Sequence, residues 1–138
     1  MEELRLDSSI ENVDRLISVL DQQLEAVDCP MKAQLQLDVA VEEIYSNISH
    51  YAYDEKMGQV YVLLDINGER ATITFEDEGR PFNPLDIEAP DIEASAQSEK
   101  MGGLGIYMVR QSMDKVNYQY KDGRNCLTII KLFSGEDM

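Results

Sequence analysis

Histidine and cysteine, the usual zinc ligands, are scarce in this sequence. His50 is its one histidine, and the two cysteines, Cys29 and Cys126, lie far apart, so it shows neither the ligand spacing of a zinc site nor an evident disulfide pair. Both thiols are read as buried, apolar-like side chains. Positive charge is also in short supply: 12 Lys and Arg stand against 27 Asp and Glu, a formal net charge of −15. A surface of that sign repels nucleic-acid backbones and anionic lipid, which argues against direct nucleic-acid or membrane partners. No apolar run approaches the roughly 20 residues of a spanning helix. The opening Met1-Glu-Glu-Leu-Arg-Leu-Asp7 has neither the basic nor the apolar region of a secretory signal, and a cytoplasmic location is expected. Repeats and low-complexity tracts are absent. The 138 residues, 43% of them hydrophobic, fit a single domain, 1–138, with a substantial core.

What is present is periodicity. Ile10, Val13, Leu16, Ile17, Leu20, Leu24 and Val27 recur at steps of three and four, between the potential caps Ser8 and Ser9 and the breaker Pro30, and predict an amphipathic helix. Pro30 opens a second helix through Leu35, Leu37, Ala40, Val41, Ile44 and Ile48 to about Tyr53. Val60, Val62, Leu64 and Ile66 alternate with Tyr61, Leu63 and Asp65. Asn67-Gly68 then supplies a two-residue turn, and Ala71, Ile73 and Phe75 return as a partner strand. Residues 80–101 have three prolines, many acids and little periodicity, and a long loop of that kind in a compact chain is usually functional. Ile106, Val109 and Met113 mark a third helix, and Val116–Tyr120, Asp122-Gly123 and Leu127–Phe133 a closing hairpin. Met101, Met108 and Met113 are read as core filler. The order predicts an α+β fold: a mostly antiparallel sheet with helices on one face and its other face open, moderately apolar and available for docking.

Three short segments carry chemistry. Glu43 and Asn47 fall one turn apart on one helix face, with Val39 and Tyr51 extending the stripe. An asparagine oxygen is a hard, neutral ligand suited to Mg²⁺. A carboxylate one turn earlier can accept a proton from a hydroxyl or water attacking a terminal phosphate. Asp77, at a strand end beside Gly79, offers an acceptor to a donor such as an exocyclic amine, and Gly79 allows close approach to the backbone. Gly102, Gly103 and Gly105 at a helix start present N–H groups and the positive dipole end to phosphates. Global negative charge does not oppose this, because magnesium and backbone N–H groups supply local positive potential. Taken singly, each segment also reads as a solvated helix face, a turn acid or a tight packing contact. All three occur together and in order, each on the element its role requires, and together they point to a magnesium nucleotide.

Glu43-x-x-x-Asn47 with Tyr51-Ala-Tyr53, Asp77-Glu-Gly79-Arg-Pro-Phe82, Gly102-Gly-Leu-Gly-Ile106 and Leu127-Thr-Ile-Ile-Lys131 resemble the asparagine box, two glycine boxes and terminal threonine strand of the GHKL (histidine-kinase-like) ATPases. Within that superfamily, the chain length, the opening strand and helix, and Gly105-Ile-Tyr-Met-Val-Arg110 with Met113-Asp114 most resemble bacterial anti-sigma regulatory factors that are serine-protein kinases. The resemblance implies a two-layer α/β sandwich with a mostly antiparallel, mixed sheet, and ATP or ADP with Mg²⁺ as cofactors. It implies Asn47 as the metal ligand, Glu43 as general base and Asp77, beside Gly79, as the adenine contact. Thr128 would support the adenine site, and Gly102, Gly103, Leu104, Gly105 and Ile106 would line the phosphates under a lid of about residues 83–101. Lys100, the one cation of that acidic lid, is either a phosphate contact or a solvated lysine. His50 falls three residues after Asn47, where relatives often carry a histidine four after it, and is read as structural. The partners implied are a STAS-type anti-anti-sigma protein, phosphorylated on serine or threonine, and a sigma factor, exchanged by partner switching. A homodimer is a further state that relatives adopt.

Three classes of function are open at this point. The first is an active serine/threonine-protein kinase and anti-sigma factor. The second is a nucleotide-dependent binding module without kinase activity, and the third a detached histidine-kinase-type ATPase domain. No acceptor-histidine helix accompanies the third, since His50 sits inside the asparagine-box segment.

Overall fold

The structure, a computed structural model, describes residues 1–53, 58–83 and 102–133. Strand β1 (Glu2–Asp7) leads through a 3-10 turn, Ile10–Asn12, into α1 (Val13–Ala26) and α2 (Met31–Tyr51). The hairpin β2 (Gln59–Ile66) and β3 (Arg70–Asp77) follows, then α3 (Gly102–Ser112) and the hairpin β4 (Lys115–Lys121) and β5 (Arg124–Leu132). The strands form one sheet in the order β1-β2-β3-β5-β4. Every described pair is antiparallel, so among the described residues the sheet is not the mixed one expected. The lid expected over 83–101, with Lys100, lies outside the described residues apart from Asn83.

Alternation decides which face is covered. Leu4 and Leu6 of β1, Val60, Val62 and Leu64 of β2, Ala71, Ile73 and Phe75 of β3, and Leu127 and Ile129 of β5 join one core cluster with the helices. Burying a side chain of this size contributes about 1.5–3 kcal/mol. From α1 the cluster takes Leu16, Leu20 and Leu24, at steps of four, and from α2 Ala33, Leu37, Ala40, Val41, Ile44, Tyr45 and Ile48. Leu35, expected inside, is exposed on α2 with Met31 and Val39. Met113 is buried as filler, whereas Met108 is exposed and Met101 lies outside the described residues. On the opposite sheet face Tyr61 is nevertheless buried. Arg5 and Arg124 lie over its ring, 5.3 and 4.1 Å from the centroid, so that face is capped by cation–π contacts as well as being partly apolar.

Local chemistry sets the element ends. Ser9 Oγ accepts from the Glu11 N–H to cap the 3-10 turn. Ser8 instead is buried and accepts from the Gly58 N–H, joining β1 to the start of β2. Asp28, at φ 56°, ends α1 in the left-handed region, and the Cys29 N–H donates back to the Leu24 carbonyl, a closing pattern that satisfies orphan helix carbonyls. Asp122 and Gly123, at φ 55° and 77°, make the tight turn between β4 and β5, as their sequence predicts. The β2–β3 turn differs from expectation. Asn67 stands at its corner rather than its centre, and its side-chain oxygen accepts from the N–H groups of Glu69 and Arg70, which supplies the turn without a left-handed glycine.

Candidate functional site

Helix α2 ends where β3 ends. A Cβ on Gly79 would overlap the Ala52 carbonyl oxygen, so only glycine lets the turn after β3 press against the α2 C-cap. The Arg80 N–H then donates to that same Ala52 carbonyl at 3.2 Å. Tyr53 braces the turn from the side, its hydroxyl accepting from the Glu78 N–H at 2.7 Å and donating to the Gln59 carbonyl at 2.6 Å. Tyr45, fully buried on α2, has its hydroxyl 2.7 Å from the Asp7 carbonyl and 2.8 Å from that of Ser9, which fixes the helix to the β1 end.

A pocket opens at this junction, walled by Asn47, Ala52, Asp77, Arg80, Phe82, Tyr118 and Asn125 over the apolar side chains Ile44, Ile48, Phe75, Ile106 and Leu127. Among the described residues its enclosed volume is about 60 Å³, and it widens towards an open mouth. Asp77 is 5% exposed and points inward. Its Oδ1 accepts from the Gly79 N–H and from Asn125 Nδ2, both at 2.9 Å. Burial holds its carboxyl above the usual carboxylate range, and the hydrogen bonds from Asn125 and Gly79 pull the other way. Its Oδ2 has no partner among the described residues, which leaves an acceptor for an incoming donor. The Asn47 carboxamide lines the same pocket and likewise has no partner among the described residues.

Glu43 sits one turn earlier on α2 and faces α3 rather than the pocket wall. A Cβ on Gly105 would overlap Glu43 Oε2, so the glycine admits the carboxylate against the first turn of α3. Burial, then the neighbouring Glu42, raise the Glu43 pKa, the direction that suits a general base near neutral pH. The next residue, Ile106, reaches the pocket, so the α3 start that contains Gly102, Gly103, Leu104 and Gly105 opens at its edge. His50 Nδ1 lies 2.7 Å from the Ser46 carbonyl, a structural bond within α2. Cys29 and Cys126 are half-buried and not joined in a disulfide.

Thr128 is the site residue that the fold does not bring in. On β5 the inward positions are Asn125, Leu127 and Ile129, whereas Thr128 has the opposite parity. Its hydroxyl pairs with that of Thr74 at 3.0 Å on the far side of the sheet. The β5 residue opposite Asp77 is Asn125, which the sequence reading missed. The signal was present: counting back from Leu127 in steps of two gives Asn125 on the pocket face. Phe82 and Tyr118 were missed for a different reason, because their places depend on that side chain.

The residues present fit a magnesium nucleotide in two respects: an inward acceptor at Asp77, and a free, hard oxygen at Asn47 beside a glycine-rich helix start. Among the described residues no group of three or more His, Cys, Asp or Glu could hold a metal ion. No described helix is long and apolar enough to cross a membrane.

The chain is similar to several known proteins. The serine-protein kinase RsbW of Bacillus mycoides (strain KBAB4) is 25% identical over 95 residues, 66% of this chain and 59% of that protein. The anti-sigma F factor of Thermoanaerobacter sp. (strain X514) is 22% identical over 137 residues, 99% of this chain and 96% of that one. Among solved structures, the RsbU and RsbW domains of Rv1364c from Mycobacterium tuberculosis superpose with a TM-score of 0.61 at 14% identity, over 96% of this chain and 33% of that one. The catalytic domain of the histidine kinase ThkA gives 0.55 at 10% identity, over 96% and 98%. Both structures share the two-layer fold. A family model described as the histidine kinase-like ATPase domain matches residues 6–131, and the chain belongs to that family.

Proposed function

We propose that this protein is a cytoplasmic, ATP-binding anti-sigma regulatory factor that phosphorylates a serine or threonine of a STAS-type anti-anti-sigma protein and thereby switches between that partner and a sigma factor. The observation that carries the reading is the meeting of Asp77, Asn47 and the Glu43–Gly105 contact at one end of the molecule. The relatives named serine-protein kinase and anti-sigma factor support it. A homodimer belongs to the same proposal.

In this reading Asp77 accepts from the adenine amino group, and Asn47 would hold a magnesium ion. Gly102, Gly103, Leu104, Gly105 and Ile106 line the phosphates. Magnesium held there would supply positive charge to the transferring phosphoryl group. Glu43 takes the proton of the substrate hydroxyl as the new O–P bond forms, and ADP leaves with the electron pair of the broken bond.

The test is calorimetric titration of Mg-ADP and Mg-ATP into the wild type, Asn47→Ala and Asp77→Asn. Magnesium-dependent binding weakened by both changes is expected; no wild-type binding at millimolar ligand would overturn the nucleotide reading. Phosphotransfer to candidate antagonists is then scored for acid-stable phosphate, which marks serine or threonine. A second reading, a nucleotide-dependent binding module without kinase chemistry, is favoured by one observation: Glu43 lies against Gly105 outside the pocket wall. Acid-labile product would point instead to a detached histidine-kinase-type ATPase.

A further inference from the structure

We infer that Asn125 is the positioning residue that makes the pocket select a 6-amino purine over a 6-oxo purine, by fixing the Asp77 carboxylate with one oxygen presented to the base. The inference rests on the nucleotide reading above and concerns a residue outside the motifs that suggested it.

The carboxamide of Asn125 is fully used inside the protein. Its Nδ2 donates to Asp77 Oδ1 and to the Arg80 carbonyl, each at 2.9 Å, with the Gly79 carbonyl a longer contact at 3.4 Å. Its Oδ1 accepts from the Phe82 N–H at 3.0 Å and from the Tyr118 hydroxyl. A peptide N–H can only donate and a peptide carbonyl can only accept, so the amide cannot be turned over. Asn125 is 7% exposed and has no donor or acceptor left to offer a ligand.

Its effect on a ligand therefore passes through the residues it holds: Phe82 and Tyr118 of the pocket wall, on which binding of any base depends, and Asp77, on which the choice of base depends. With the amide N–H and the Gly79 N–H both on Oδ1, the carboxyl plane is set and Oδ2 is the oxygen left over. A donor held on Oδ1 also favours the ionised form, which has no proton of its own to donate. An ionised oxygen accepts from the amino group on C6 of adenine and repels the oxo group found there in hypoxanthine or guanine. Without Asn125, the Gly79 N–H alone holds Oδ1, so the Asp77 carboxyl turns more readily and, once protonated, donates as well as accepts. Discrimination then falls even where phosphate binding survives.

The experiment measures ADP and IDP binding, with magnesium, to the wild type and Asn125→Ala, with melting curves to confirm folding. The wild type is expected to prefer ADP by roughly 100-fold or more, as sites built around one hydrogen-bonding partner do, and Asn125→Ala by less than about 10-fold. Equal weakening of both ligands in the variant would assign Asn125 a structural role only and overturn the inference, as would an unchanged ratio. If Asn125→Ala does not fold, Asn125→Asp has the same shape but cannot donate to Asp77 when ionised, and its ratio is read in the same way. Wild-type protein that binds neither nucleotide would instead fail the nucleotide reading itself, a result distinct from a preserved ratio.

Discussion

The Glu43 carboxylate occupies the space in which a side chain on Gly105 would have to sit. A carboxylate on α2 and a missing Cβ on α3 thus form one contact, and the candidate base and the candidate phosphate helix are positioned by each other.

That contact sets the size of a simple mutational effect. Alanine in place of glycine inside a helix ordinarily stabilises by about 0.5–1 kcal/mol, but in Gly105→Ala the methyl meets the far end of the Glu43 side chain, which must turn aside, and the gain is expected to vanish. Adding Glu43→Ala should restore it, a coupling that urea unfolding of the four cycle members measures. A stabilised Gly105→Ala single variant would show that the carboxylate moves aside freely.

Glu43 also governs the expected pH profile. Its pKa is raised by burial and by Glu42, and only the ionised form can take a proton. Phosphotransfer should therefore decline as pH falls, beginning at a higher pH than an ordinary glutamate would impose. Glu43→Gln should lower the rate by roughly 10²–10⁴ while ADP affinity stays within about threefold of wild type, a limit set by its absence from the pocket wall. Single-turnover rates between pH 5 and 8 provide the check, and a variant with wild-type transfer would remove Glu43 from the chemistry.

Away from the site, Asp38 carries a stability cost at neutral pH. Burial, the Asp21 carboxyl and the charge of Glu25 push its pKa to about 7, and its Oδ1 is buried with no hydrogen-bond partner. The folded state holds this proton more tightly than the unfolded chain does. The contribution is therefore fully present below the ordinary value of 3.8 and is lost as pH rises towards 7. Asp38→Asn should add about 1–2 kcal/mol at pH 8, after allowance for solvent screening, and little near pH 4. Urea midpoints at the two pH values test this, and equal gains at both would refute the assignment to ionisation.

Tyr53 tests the brace on the Asp77 turn. Tyr53→Phe leaves the Glu78 N–H without the hydroxyl it donates to, with an expected loss of about 1–2 kcal/mol and weaker ADP binding, since Asp77 and Gly79 flank Glu78. Calorimetry paired with thermal melts separates the two effects. Unchanged ADP affinity would mean that Ala52 alone holds the turn.

The local signals in the chain were legible because they are short-range. Steps of four at Leu16, Leu20 and Leu24, alternation at Val60, Val62 and Leu64, and Asp122-Gly123 each specify backbone geometry through neighbours a few residues away. The same signals misplaced Leu35, because an apolar residue at helical spacing does not say which side of α2 the sheet will cover. Thr128 was misplaced by motif similarity that ignored strand parity.

By itself, then, the sequence determined the elements, their order and the glycine, asparagine and aspartate that a nucleotide site needs. Tertiary structure alone decided that Asn125, 48 residues from Asp77 in sequence, would lie opposite it across β3 and β5, and that Glu43 would rest on Gly105. The physical reason is that pairing between distant strands and the docking of α3 on α2 are set by burial of the whole core, which no window of sequence contains.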